Sequence, residues 1–314
     1  MKSKKYILTL TFLLSIISLY CQEIKKDTSY TVASAYKKYK NKFPQIETVK
    51  DKNYKSIKQI DNIVYKKIEH RNLVLNAYFS EDKQNPAVLL IHGGGWKSGD
   101  KSHMEPMAKS IAAKGYSCFT IEYRLSDEAI YPAGIYDLKE AIQFIKSNAE
   151  KFHVNPNKVA ALGCSSGGQM AALIGTTNNN LKFQQTTEYS VSTSVQAIID
   201  LDGILAFKHP KSKEGKVASL WLGGTYEEKP EIWEEASALH HVDKNTPPIL
   251  FINSQYDRFH AGRDDMINIL NQHTIYNQVE TFADSPHTFW LFHPWYNKTV
   301  NYITAFLDKT LKSN

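Results

Sequence analysis

An alternation that begins near residue 61 limits what this chain can fold into. Short apolar runs bounded by turn residues (AVLLIHGG, SCFTIEY, KVAALGC, VQAIIDLDG, PPILFINS and QVETFADS) are separated by stretches of helical periodicity. YDLKEAIQFIKSNAEKF places Leu138, Ile142 and Ile145 on one face, and GRDDMINILNQH and TVNYITAFLDKTL behave alike. A strand that is apolar on both sides needs cover on both sides. Such strands interleaved with amphipathic helices predict a parallel sheet between two helix layers, joined by right-handed crossovers. Ahead of them NIVYKKI and NLVLNAYF, with EHRN between, predict an antiparallel hairpin. The expectation is one α/β domain over residues 61–314, with about eight mostly parallel strands and helices on both faces. The hydrophobic share of 42% is enough to fill a core of that size.

Residues before 61 read differently. Lys2, Lys4 and Lys5 precede the apolar run YILTLTFLLSIISLY, which predicts a secretory signal peptide over residues 1–21. The run is too short, and too soon followed by polar residues, for a membrane span. Export places the protein in the periplasm, at the outer membrane or outside the cell. Cys21 is a candidate for lipid anchoring, although Tyr20 is bulky where a lipid-attachment signal wants a small residue. Residues 22–60 are polar and rich in Lys and Tyr. They read as an N-terminal extension over the domain, with TVASAYKKYKNKF a short surface helix. Loss of the leader removes three lysines and no acid, so the formal charge falls from +6 to +3. That is too weak to argue for a nucleic-acid partner, and the Lys-rich run from Lys37 to Lys67 reads as a solvated face. Cys118 and Cys164 make no disulfide framework. No C-x-x-C or H-E-x-x-H occurs, so neither a metal nor a cofactor is expected.

Ligands of such a sheet bind beyond the carboxyl ends of its strands. The residues just past each apolar run are therefore informative. After AVLLI comes His92-Gly93-Gly94-Gly95-Trp96. Three glycines are more than a turn needs, and their uncovered amides can point at an anion. After KVAAL comes GCSSG, a Gly-x-Ser-x-Gly with Ser165 at its centre and the helical QMAALIG behind it. Strand, sharp turn and helix are the context a nucleophile elbow requires. Cys164 is then the variable residue of the motif, packed below the turn. After PPILFINS comes Asp257, and after QVETFADS comes His287. The order Ser165, Asp257, His287, at separations of 92 and 30 residues, is that of an elbow-type hydrolase. Each signal has a plainer reading alone, since a strand-end Asp often serves a turn or a helix cap. His260 and His293 compete with His287, whereas His240 and His241 read as structural. Asp200 and Asp202 end the run IDLDG, where they could bond a sugar hydroxyl or serve the turn. Trp96, Phe289, Trp290, Phe292 and Trp295 could stack on a sugar or aromatic acyl group, or fill the core. The segment 176–235 is expected to form a wall or lid over the pocket.

HGGGWKSGDK, EYRLS followed by YPAGIYDLKEAI, GCSSGGQMAAL, WLGGTYEEKPEIWEEASAL and SPHTF together resemble the α/β-hydrolase superfamily. Within it the chain is similar to secreted bacterial esterases of the hormone-sensitive-lipase-like and feruloyl/acetyl-xylan esterase group, over roughly residues 60–312. The resemblance implies a serine hydrolase with Ser165 as nucleophile, His287 as base and Asp257 as the acid orienting it. The amides of Gly94, Gly95 and Ser166 would form the oxyanion hole. One departure is that Phe259-His260 stands where similar enzymes carry Val-Pro after the acid, which leaves Asp264 and Asp265 as rivals to Asp257. The implied substrate is an acetyl, feruloyl or methyl ester on a plant or algal polysaccharide, with Trp96, Asp202 and Trp290 as substrate contacts. Three other readings stay open: a carboxylesterase for small esters, a prolyl-oligopeptidase-like peptidase, and a catalytically silent binding module. The sequence leaves the oligomeric state open.

Overall fold

The structure, a computed structural model, describes residues 27–69, 71–178 and 180–312. The leader and Cys21 lie outside them. In chain order the elements are α1 (Val32–Tyr39), β1 (Glu47–Thr48), β2 (Lys58–Ile68), β3 (Arg71–Phe79), β4 (Asn85–Ile91), α2 (Glu105–Ala112), β5 (Ser117–Ile121), α3 (Ala133–Ser147) and β6 (Val154–Cys164). Then come α4 (Ser166–Thr176), β7 (Ala197–Leu201), α5 (Gly215–Leu222), α6 (Pro230–Glu235), β8 (Ile249–Asn253), α7 (Arg263–Gln272), β9 (Asn277–Thr281), β10 (Phe292–His293) and α8 (Trp295–Leu307).

Eight strands form one sheet in the order β2-β3-β5-β4-β6-β7-β8-β9. The pairs β2–β3 and β3–β5 are antiparallel and the rest are parallel, as the apolar runs predict. Every residue of β4, β5, β7 and β8 is buried, because helices cover both faces. Alternate side chains feed separate layers. Leu89 and Ile91 pack with Phe119, Leu138 and Ile142, while Val88 and Leu90 pack with Met107, Ile111 and Ile303.

The N-terminal segment is built into the second layer. Thr31 and Ser34 cap α1 reciprocally, each hydroxyl accepting the other's amide at 3.0 and 2.9 Å. Ala35, Tyr39, Phe43 and Ile46 recur at helix-like spacing and are buried, with Phe43 meeting Trp295 edge to face at 5.8 Å. β1 then pairs antiparallel with β10, Glu47 opposite His293. This stitches the segment to the chain just after His287.

Candidate active site

The site lies past the carboxyl ends of the central strands. Ser165 joins β6 to α4 with φ 55° and ψ −122°, a conformation a side-chain-bearing residue rarely adopts. Its amide donates to Leu201 O at 2.8 Å, and its carbonyl accepts from Gln169 at 3.1 Å. The turn closes only because its neighbours lack side chains. A Cβ on Gly163 would lie 1.9 Å from Gly167 O, and one on Gly167 would lie 2.3 Å from Ile91 O. Strand and helix therefore approach backbone to backbone, and the serine hydroxyl is pushed up from the sheet.

His287 meets that hydroxyl. With the ring proton on Nδ1 and donated to Asp202 Oδ2 at 2.9 Å, Nε2 is left to accept from Ser165 Oγ at 2.9 Å. Asp202 is 1% exposed, follows β7 directly, and turns with φ 52°. Its Oδ1 accepts the Ser254 amide at 2.8 Å, and His260 Nδ1 stands 3.7 Å from the same oxygen. Burial pushes its carboxyl up, but the polar contacts from His260, His287 and Ser254 outweigh that and hold it below the usual carboxylate value. Burial holds the His287 imidazole below 6.5 despite Asp202, and the cations Arg258 and Lys38 add to the depression. The Phe259 ring stacks on His287 at 3.4 Å between centroids, and Trp290 meets its edge at 5.4 Å.

The expected pairing of Asp257 with His287 is not what the fold makes. Asp257 is 73% exposed and faces His260 Nε2 at 3.3 Å. The reason is topological. β7 lies between the serine strand β6 and β8, so the residue ending β7 reaches the histidine first. Asp257 stands beyond β8, on a turn of helix open to solvent. Its rivals are further off: Asp264 engages Arg263 and Lys211, and Asp265 engages His209. The sequence did carry a signal for Asp202, since an acid just past a wholly buried strand must find a partner once buried itself. Asp200, two residues earlier, has no exposure and accepts the Gly203 amide at 2.8 Å. Burial drives its carboxyl well above the usual value, against the Gly203 amide it accepts.

Of the other expected contacts, Gly94 and Gly95 line the cavity above Ser165. Ser166 opens α4, so its amide has no carbonyl one turn earlier to bond. Trp96 is nearly buried. It donates Nε1 to Gln169 Oε1 at 3.0 Å and stacks on Trp221 at 4.9 Å. Trp290 is 3% exposed and packs behind His287, with Phe289, Phe292 and Trp295 in the core. His293 lies in β10, and His240 and His241 bond the α6 segment. Cys118 and Cys164 are free and buried, and burial raises both thiols.

Two cavities flank Ser165. The smaller, about 200 Å³, has a partly apolar wall of Trp96, Ile204 and Val217. Ile204 and Val217 come from the 176–235 segment. The larger, about 370 Å³, has a wall the sequence does not announce: Ser29, Tyr30, Ser34, Lys38 and Tyr39 of the N-terminal segment face Ser165 and His287 across it.

The BD-FAE family matches residues 75–266, more than half of the chain. Esterase LipC of Mycobacterium tuberculosis is 30% identical over 56% of this chain and 45% of its own length. The probable carboxylic ester hydrolase LipM of the same organism is 26% identical over 64% and 46%. The chain thus spans about half the length of these relatives. A truncated carbohydrate esterase from gut microbiota shares the fold at TM-score 0.70 and 21% identity, over 84% of this chain and all of that one. The acetyl ester-xyloside bifunctional hydrolase of Caldicellulosiruptor lactoaceticus does so at TM-score 0.66 and 20% identity, over 77% and 89%. An elbow serine at the end of β6, a mostly parallel eight-stranded sheet and the family match converge: the chain belongs to the BD-FAE family of α/β-hydrolases.

Proposed function

We propose that the protein is an exported serine esterase that removes short acyl groups, acetyl foremost, from a polysaccharide. The observation that carries this is the hydrogen-bonded line Ser165–His287–Asp202 beneath two cavities. Ser165 Oγ attacks the ester carbonyl as His287 Nε2 takes its proton. Asp202 holds the ring in the tautomer this needs and stabilises the imidazolium. Amides of Gly94, Gly95 and Ser166 receive the oxyanion. Losing one such donor typically costs ~10²–10³ in rate. Collapse of the tetrahedral adduct breaks the bond to the alcohol oxygen, which takes the proton from His287. Water, deprotonated by the same imidazole, then attacks the acyl-serine and frees the acid.

The small cavity beside Trp96 and Val217 suits a short acyl chain, which leaves the larger one for the alcohol. A leader over residues 1–21 supports action outside the cytoplasm, where polymers are met. Relatives named as esterases, and structural neighbours named as carbohydrate and acetyl esterases, fit the same reading. The test is hydrolysis of p-nitrophenyl acetate, methyl ferulate, acetylated xylan and pectin by the purified protein, beside Ser165→Ala. Acetate release from polymer, lost in the variant, is the expected result. Peptide cleavage without ester hydrolysis, or a variant as fast as the parent, would sink the proposal.

A further inference from the structure

The larger cavity has a charge pattern that bears on its occupant. Two cations line it: Lys38 from α1, and Arg258 from the turn after β8. No carboxylate does. The acids closest in sequence are engaged elsewhere. Asp257 faces His260, and Asp27 pairs with Lys97 at 3.0 Å. Both cations are exposed, and among the described residues neither makes an ion pair.

Arg258 is also held in place. Its guanidinium lies 4.1 Å from the Phe259 ring centroid, and that ring stacks on His287. Guanidinium, phenyl and imidazole form one column that ends at the reacting serine. The turn that follows α1 is tied to the same segment, since Lys42 Nζ donates to Tyr256 Oη at 2.8 Å. Lys38 and Arg258 thus face one space from two elements tied together. Ser29, exposed on that wall, adds a hydroxyl of the kind that bonds sugar hydroxyls.

Lys38 and Arg258 thus present two unpaired positive charges to one space whose wall holds no carboxylate, and a bound anion is the group that would pair with both. We propose that the larger cavity is a subsite for an anionic sugar, so that the ester cleaved is carried on an acidic polysaccharide with a carboxylate or sulfate at or next to the acylated residue. This rests on the esterase reading for which cavity holds the alcohol.

The test compares O-acetylated oligogalacturonide, an O-acetylated sulfated galactan oligomer and O-acetylated xylo-oligosaccharide of equal length. The parent should turn over at least one anionic ester with kcat/KM about tenfold above the neutral one, as two exposed charge pairs worth about 0.7 kcal/mol each would give. Which anionic arm is preferred separates carboxylate from sulfate. Lys38→Glu combined with Arg258→Glu should cut that ratio at least tenfold, and raising salt from about 0.05 M to about 0.5 M should shrink it in the parent. Binding of the same three oligomers to Ser165→Ala, by calorimetry, gives the ranking without chemistry. Anionic preference in binding with no turnover of any ester would uphold the subsite and overturn the esterase reading. Equal treatment of neutral and anionic oligomers in both assays, or a ratio unmoved by the double substitution, would overturn the subsite.

Discussion

Replacing Asp202 by Asn is the sharpest perturbation of the site. The two side chains have the same shape, so packing is kept. Oδ1 accepts the Ser254 amide at 2.8 Å, and the amide oxygen of Asn can keep that bond. Its NH₂ then faces His287 Nδ1, where the carboxylate stood at 2.9 Å. Two donors cannot share that contact. The ring must move its proton to Nε2, which faces Ser165 Oγ, and the base is lost. The expected fall in kcat is ~10⁴-fold, about 5.4 kcal/mol of barrier. Asp257→Asn, at a side chain 73% exposed and out of reach of His287, should stay within about threefold of the parent. Steady-state hydrolysis of p-nitrophenyl acetate reads both variants, with circular dichroism to show that each is folded. A folded Asp202→Asn of near-parent rate, or a collapse in Asp257→Asn, would refute the assignment of the acid.

The same geometry sets two further outcomes. His287 works only when neutral, and its imidazole is held below 6.5, so it stays a competent base into more acid solution. The rising limb of kcat/KM against pH should therefore have its midpoint below pH 6.5, and a midpoint above that value would contradict the burial argument. Gly167→Ala puts a methyl 2.3 Å from Ile91 O and 2.6 Å from His92 O, both backbone atoms that must shift. The expected cost is about 3 kcal/mol, a fall in Tm of about 6–12 °C by calorimetry, and a change under about 2 °C would show that the elbow is loosely packed.

The parts of the molecule that are legible in the sequence are those where one strong requirement acts alone. Strands such as AVLLI and PPILF are buried on both faces, so their composition admits little else. Ser165 can be placed because it directly succeeds such a run and His287 because it lies in the loop after the edge strand β9, and the fold brings them within 2.9 Å. The acid is harder to place because two successive strands, β7 and β8, both lead into acids, and the expected one, Asp257, is the wrong one of the two. Sequence spacing does not say which of the strands neighbours β6. Trp290 illustrates a second limit, since a ring packed behind a histidine and a ring facing a ligand have the same composition around them. The N-terminal wall is hidden in a Lys-rich stretch that looks solvated. Its anchors Ala35, Tyr39 and Phe43 are few, though their four-residue spacing marks a buried helix face.

The pairing of β1 with β10 joins positions 246 residues apart. Contacts so distant in sequence carry a higher loop-closure cost than the local pairings of the sheet, and this one is expected to form after them. A chain that had completed its sheet but not returned its N-terminus would hold Ser165, His287 and Asp202 in register, yet lack Tyr30 and Lys38 over them. Under the proposed function, such a partly folded chain would have chemistry without selectivity. Cavity and cation pair come together only at that docking, so under the proposed function substrate discrimination would be acquired after the nucleophile.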